Sequence, residues 1–160
     1  MNTDRIADLC KTLSLADWNW SGSSIFDLVH SLGWTFVREV GHRREYQVEN
    51  GLSADIYCDS SRAELIEIVL DSFTEVNSLT DSQYEELVDT YYARFCEATK
   101  AAERVLGKAT FSDGVAASGF PDDQDAVWLS LWNLPAARLM LQQKHEDREL
   151  PFRICVVIAP

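Results

Sequence analysis

Residues 80–107 read TDSQYEELVDTYYARFCEATKAAERVLG, and the spacing within this stretch decides the fold. Tyr84, Leu87, Val88, Tyr91, Phe95, Ala98, Ala102, Val105 and Leu106 recur at three- and four-residue steps, the period of a helix with one apolar side. Thr80 and Gln83 stand in the relation of a capping box, and Gly107 is the residue type that most readily closes a helix in the left-handed conformation. The spacing predicts a long helix over 81–106, with an apolar stripe that must pack on a sheet.

The flanking segments supply that sheet. Before the helix, Trp34 to Val40, Tyr46 to Val48, Ala54 to Cys58 and Leu65 to Leu70 read as four strands, separated by the turn signals Gly41-His42-Arg43-Arg44 and Asn50-Gly51. After it, Val127 to Trp132, Ala137 to Gln142 and Phe152 to Ile158 read as three more. Connections this short force antiparallel neighbours. Between the helix and these last strands, Phe111 to Asp125 holds two Gly, one Pro and four Asp, the composition of a flexible surface loop.

Two short helices open the chain. Thr3 is placed to cap the first, whose apolar face is Ile6, Leu9, Cys10 and Leu13. Ser23 or Ser24 is placed to cap the second, with Ile25, Phe26, Leu28, Val29 and Leu32 inward and Gly33 at its end. Trp18 and Trp20, in the turn between the helices, are expected to pin the first helix to the core. The expected architecture is α+β: residues 1–160 as one globular domain, with helices packed on a mostly antiparallel sheet.

Composition agrees with a folded chain. At 46% hydrophobic and 11% aromatic, the sequence is far from the disordered range. Its start, MNTDRIADLCKTL, lacks the basic-then-apolar pattern of a secretory leader, and no apolar run approaches the roughly 20 residues of a membrane span. A cytoplasmic protein is expected. Cys10, Cys58, Cys96 and Cys155 lie far apart in apolar or amphipathic stretches and read as buried free thiols.

The formal net charge is −12. Nucleic acid and anionic membranes are repelled by such a field, whereas a basic protein partner is attracted. Asp59 to Glu97 holds ten carboxylates against Arg62 and Arg94, so this segment carries −8 of the total. With Tyr84, Val88, Tyr91 and Phe95 turned to the core, Glu85, Glu86 and Asp89 fall on the outer face of the long helix with Tyr92 at its flank. Part of this acidity has an internal explanation, since acids near the start of a helix and bases near its end complement the macrodipole. An aromatic beside carboxylates also suits a basic, partly apolar partner surface. Asp122 and Asp123 in the loop form a second candidate contact.

No motif for chemistry is present. Phosphate-binding glycine loops, H-E-x-x-H, G-x-S-x-G and EF-hand patterns are missing. His30, His42 and His145 have no second ligand at zinc spacing, and Asp122, Asp123 and Asp125 do not alternate as calcium ligands do. The expectation is a non-catalytic domain with no cofactor and no metal. An enzyme would require a pocket bringing His42 or His145 to a cysteine or a carboxylate.

Trp18-Asn19-Trp20, followed by Ile25-Phe26-Asp27-Leu28-Val29-His30-Ser31-Leu32-Gly33-Trp34, resembles a bacterial domain family of unknown function, number 6301. Its members show a similar W-x-W, a short helix ending in L-G-W, a long helix, a tryptophan-bearing strand like Ala126-Val127-Trp128-Leu129 and a closing apolar strand like Ile154 to Ile158. The match covers nearly the whole chain, through short motifs that are structural. Small acidic domains of this kind are similar to the immunity proteins with which bacteria neutralise their own secreted toxins. The resemblance implies a monomer or homodimer that occludes the active site of a basic toxin domain. The alternative is an acidic secretion chaperone that holds an effector segment.

Overall fold

Phe152–Ala159 is the strand on which the fold is centred, because its side chains are apolar on both faces and all but Arg153 are buried. A strand of that kind belongs in the middle of a sheet covered on both sides. The computed structural model describes residues 1–48, 51–59, 61–145 and 147–160. In chain order the helices are α1 (Thr3–Ser14), α2 (Gly22–Ser31) and α3 (Asp81–Leu106). The strands are β1 (Thr35–Val40), β2 (Arg43–Val48), β3 (Leu52–Asp59), β4 (Arg62–Phe73), β5 (Phe111–Gly114), β6 (Trp128–Asn133), β7 (Arg138–Lys144) and β8 (Phe152–Ala159).

The strands form one antiparallel eight-stranded sheet in the order β1-β2-β3-β4-β8-β7-β6-β5. It consists of two four-stranded meanders joined at the β4–β8 seam, where Ile66 lies opposite Ile158 and Ile68 opposite Val156. The chain leaves the seam at the end of β4 and crosses one face as α3. It re-enters at the far edge as β5 and folds back to the seam. The α+β class and the antiparallel sheet are therefore as expected, with β5 an additional edge strand cut from the start of the predicted loop.

One face of the sheet carries the main core. Ile66 and Ile68 of β4, Leu139 and Leu141 of β7, and Ile154, Val156 and Ile158 of β8 meet Tyr91, Phe95 and Ala98 of α3. Burying each such aliphatic side chain contributes roughly 1.5–3 kcal/mol. Trp18 and Trp20 are buried and stacked at 5.8 Å. Their indole N–H groups donate to the Leu13 and Ala136 carbonyls, both at 2.9 Å, which ties the first turn to the β6–β7 corner.

The caps differ in detail from expectation. Asn2, not Thr3, caps α1: its Oδ1 accepts from the Asp4 and Arg5 amides. At α2 the N-cap is Ser21, whose hydroxyl bonds Ser24 instead of a backbone amide. The ends of α3 fall where the spacing predicts, with both arms of the Thr80–Gln83 capping box formed and Gly107 at φ 81°. Asn50 of the Asn50-Gly51 turn signal lies outside the described residues.

The reverse face of the sheet is divided. Behind β6, β7 and β8, a second apolar cluster of Leu129, Met140, Cys155, Val157 and Ala159 is closed by Phe111 and Phe120, whose rings meet edge to face at 6.0 Å. The segment read as a flexible loop thus serves as cover for the centre of the sheet. Behind β1 to β4 the same face is charged. Arg38 bonds Glu45 at 2.6 Å, Arg43 bonds Asp55 at 3.0 Å, and buried Glu67 accepts from Lys144 at 2.6 Å and from Arg153 at 2.8 Å.

Candidate protein-interaction face

The orientation of α3 is set by its small residues. Ala98, Ala101 and Ala102 are buried and α1 packs against α3 beside them, with Arg104 donating to the Thr3 carbonyl at 3.3 Å and pairing with Asp4 at 3.2 Å. This turns the buried arc toward Leu87, Tyr91 and Ala98 and away from Val88, which is 40% exposed. The expectation that Val88 faces the core is corrected accordingly. Val88 instead joins Glu85, Asp89 and Tyr92 in one outward stripe, at the i, i+3, i+4 and i+7 positions that share a helix face.

Glu85, Glu86 and Asp89 are exposed, and no described residue makes an ion pair or side-chain hydrogen bond with their carboxylates. On the opposite side of the helix, Asp71 pairs with Arg94, which also lies over the Tyr91 ring. Asp81 at the start of α3 pairs with Arg148, which holds its carboxyl below the usual range by hydrogen bonding and charge. The acids of the outward stripe have no such compensation. Glu85 and Asp89 repel each other at i,i+4 spacing, at a cost of about 0.2–0.5 kcal/mol.

Tyr92 is 42% exposed, and its ring lies 4.6 Å from that of Trp128 on β6. Its phenol is pushed above the usual value chiefly by Cys96, through hydrogen bonding and charge, with desolvation and then the charge of Asp113 adding less. Cys96, Asp113 and Trp128, which the helical spacing alone does not gather, therefore extend the face across to the sheet edge. The W in Ala126-Val127-Trp128 was their only local signal.

Asp122 and Asp123 are not brought to this face. Asp123 is held in a two-pronged contact by Arg138, at 3.1 and 2.5 Å, and that contact draws its carboxyl below the usual range. Arg138 alternates with Leu139, which points into the core under α3, so the Asp123 contact lies on the reverse side of the sheet. Asp122 is exposed beside it.

The histidines are accounted for by their surroundings. His145 stacks on Phe152 with ring centroids 3.6 Å apart, and its Nδ1 lies 3.1 Å from the Leu150 carbonyl. A carbonyl can only accept, so Nδ1 carries the proton and Nε2 accepts from the Tyr84 hydroxyl at 2.5 Å. His30 is exposed and edge-on to Tyr46 at 6.2 Å. His42 and Cys58 line one hollow of about 160 Å³ with Glu39, Arg44 and Arg62. Burial pushes the Cys58 thiol up, the reverse of what activates a nucleophile.

All four cysteines are free. Cys10 and Cys155 are buried as expected, whereas Cys58 and Cys96 are only half-buried, since each sits where a strand or helix meets a surface hollow. Among the described residues, no group of three or more His, Cys, Asp or Glu is placed to hold a metal ion, and no helix is long and apolar enough to cross a membrane.

The model of a Family of unknown function (DUF6301) matches residues 4–142. The chain belongs to this family. The matched stretch includes the whole outward stripe of α3 and ends within β7, short of β8. No curated protein and no solved structure matches the chain.

Proposed function

We propose that this member of the DUF6301 family is a non-catalytic immunity protein that acts in the bacterial cytoplasm by covering the active site of a basic toxin domain. The supporting observation is the outward stripe of α3: carboxylates at Glu85, Glu86 and Asp89 without partners among the described residues, next to exposed Val88 and Tyr92. Unpaired acids speed encounter with a cationic surface, and the adjacent apolar and aromatic side chains supply the anchors that hold it. A toxin that handles nucleic acid or nucleotides presents such a cationic surface at its substrate site.

The test is a triple variant, Glu85→Lys, Glu86→Lys and Asp89→Lys, assayed for association with the toxin domain encoded beside the gene, across a range of salt. Because the three side chains are exposed, the change in stability stays within about 0.5 kcal/mol. The association rate falls at least about tenfold at low salt, and its salt dependence flattens. Binding with an unchanged rate and unchanged salt dependence would remove α3 from the contact.

A secretion chaperone is the second reading, and β1 favours it. This edge strand exposes Phe36, Val37 and Val40, onto which an effector segment can add as a further strand. The Val37 bulge and the Arg38 and Glu39 charges blunt that edge. In the same association assay, Val37→Lys discriminates: loss of binding favours the chaperone, and retention favours immunity.

A further inference from the structure

The outward stripe of α3 runs into a groove of about 220 Å³ between the helix and the β5–β6 edge. Tyr92, Phe95 and Trp128 form its apolar walls. Gly114 on β5 makes room for the largest of them, since a Cβ there would meet the Trp128 ring at 3.3 Å. Behind the walls, the Thr99, Ser130 and Ser112 hydroxyls bond in a chain at 2.9 and 2.7 Å, so the polar floor is already satisfied.

The mouth is different. Glu103, Asp113 and Lys100 stand around it. Glu103 is engaged by Lys108 at 2.8 Å, whereas the hydrogen bond to Asp113 comes from the adjacent Gly114 amide at 2.7 Å. Asp89 lies one turn along the helix from Tyr92 and adds to the negative side. Two adjacent ring faces with a carboxylate at their edge fit a side chain that is apolar along its stem and cationic at its tip. With Glu103 offset by Lys108, Asp113 and Asp89 outweigh Lys100 by one charge, so an anion would meet excess negative charge. A wholly apolar group would desolvate Asp113 with only the Gly114 amide to compensate its charge.

The geometry points to this groove as the seat of a single lysine or arginine side chain of the protein partner, its stem along Tyr92 and Trp128 and its head at Asp113. The inference deepens the binding reading above and rests on it. It makes the groove the anchor of the interface, with the Glu85 to Asp89 stripe as the steering surface beside it.

A small probe tests the groove without any partner. n-Butylguanidinium is titrated against the full chain while the Trp128 indole N–H and Tyr92 ring resonances are followed by NMR, with n-butyrate and n-pentanamide as controls. Saturable shifts are expected with the guanidinium, at least about five-fold weaker in Asp113→Asn and lost in Tyr92→Ala. Both positions are exposed, so the fold is retained and is checked by circular dichroism. Equal shifts with butyrate or the amide, or undiminished binding by Asp113→Asn, overturn the inference. A double variant, Glu85→Lys with Glu86→Lys, leaves Asp89 in place, keeps the probe site and slows association with the toxin, so failure of the groove and failure of the acidic stripe give different results.

Discussion

Replacing Glu67 by Ala should be among the most destabilising single changes in the chain. The carboxylate is 3% exposed and accepts from Lys144 at 2.6 Å and from Arg153 at 2.8 Å. Charge-assisted hydrogen bonds of this kind contribute roughly 1.5–3 kcal/mol each, and removing one partner of a buried ion pair costs about 3–5 kcal/mol because the other charge is left stranded. Arg153 has 31% of its side chain in solvent and can turn outward, whereas Lys144, at 11%, is confined. The loss should therefore sit near the lower bound, about 3 kcal/mol, or about 6–12 °C in Tm for a chain of this size. Urea unfolding followed by tryptophan fluorescence measures it. Glu67→Met with Lys144→Met should recover most of the loss, because an apolar pair leaves no stranded charge. Asp55 gives an independent readout: it lies directly opposite Glu67, and its carboxyl is raised chiefly by burial, with Glu45 and Glu67 adding to the effect. Its pKa should fall when Glu67 is removed. A cost below about 1 kcal/mol for Glu67→Ala with an unchanged denaturant slope, or a double variant no better than the single, would refute the argument.

Two further outcomes follow from the ionisable groups. Asp123 is held below the usual carboxylate range by Arg138, so the folded state binds its proton less readily than the unfolded state does. Its contribution is present above the ordinary carboxylate range and is lost as the pH falls through the folded value. Asp123→Asn should therefore flatten the acid limb of stability below about pH 5, by at most about 1 kcal/mol because the side chain is 55% exposed; an unchanged acid limb counts against the pair. Burial raises the Cys10 thiol to about 12 and raises Cys155 as well. With a thiol-alkylating probe at pH 8, Cys58 and Cys96 should label before Cys10 and Cys155, as read by peptide mass spectrometry, and early labelling of Cys10 would contradict its buried place on the inner face of α1.

What could be read from the sequence is what depends on neighbours along the chain. The ends of α3 were legible because Thr80, Gln83 and Gly107 act within one turn, and the antiparallel sheet because short connections leave no other geometry. The facing of Val88 was not, because the buried arc of α3 is centred by the approach of α1 on Ala98 and Ala102, a contact nearly one hundred residues away along the chain. The covering role of Phe111 and Phe120 was hidden among turn residues. Its one sequence signal was indirect: a closing strand apolar at Ile154, Cys155, Val156, Val157 and Ile158 in succession needs cover on both faces. The pairing of Asp123 with Arg138, across the sheet edge, left no local trace.

The distribution of ion pairs sharpens the argument from charge. Among the described residues, ten Lys and Arg side chains are engaged in ion pairs, with nine carboxylates between them. The cations are spent where the fold needs them: on the strand ladders at Glu45 and Asp55, in the interior at Glu67, and on Asp71 and Asp123 at element boundaries. What a partner meets at a distance is the remainder, and Glu85, Glu86 and Asp89 belong to it. The macrodipole favours acids within the first turn of a helix and fades beyond it, so it accounts for Asp81 but not for Asp89. Among the described residues no cation pairs with Glu85 or Asp89 to offset their repulsion, and local costs left uncompensated concentrate at functional sites. Acidity as a whole is thus a weak argument for a basic partner. The stronger one is that the uncompensated part of it shares a stripe with Val88 and Tyr92, at the mouth of a groove on α3 walled by aromatic rings.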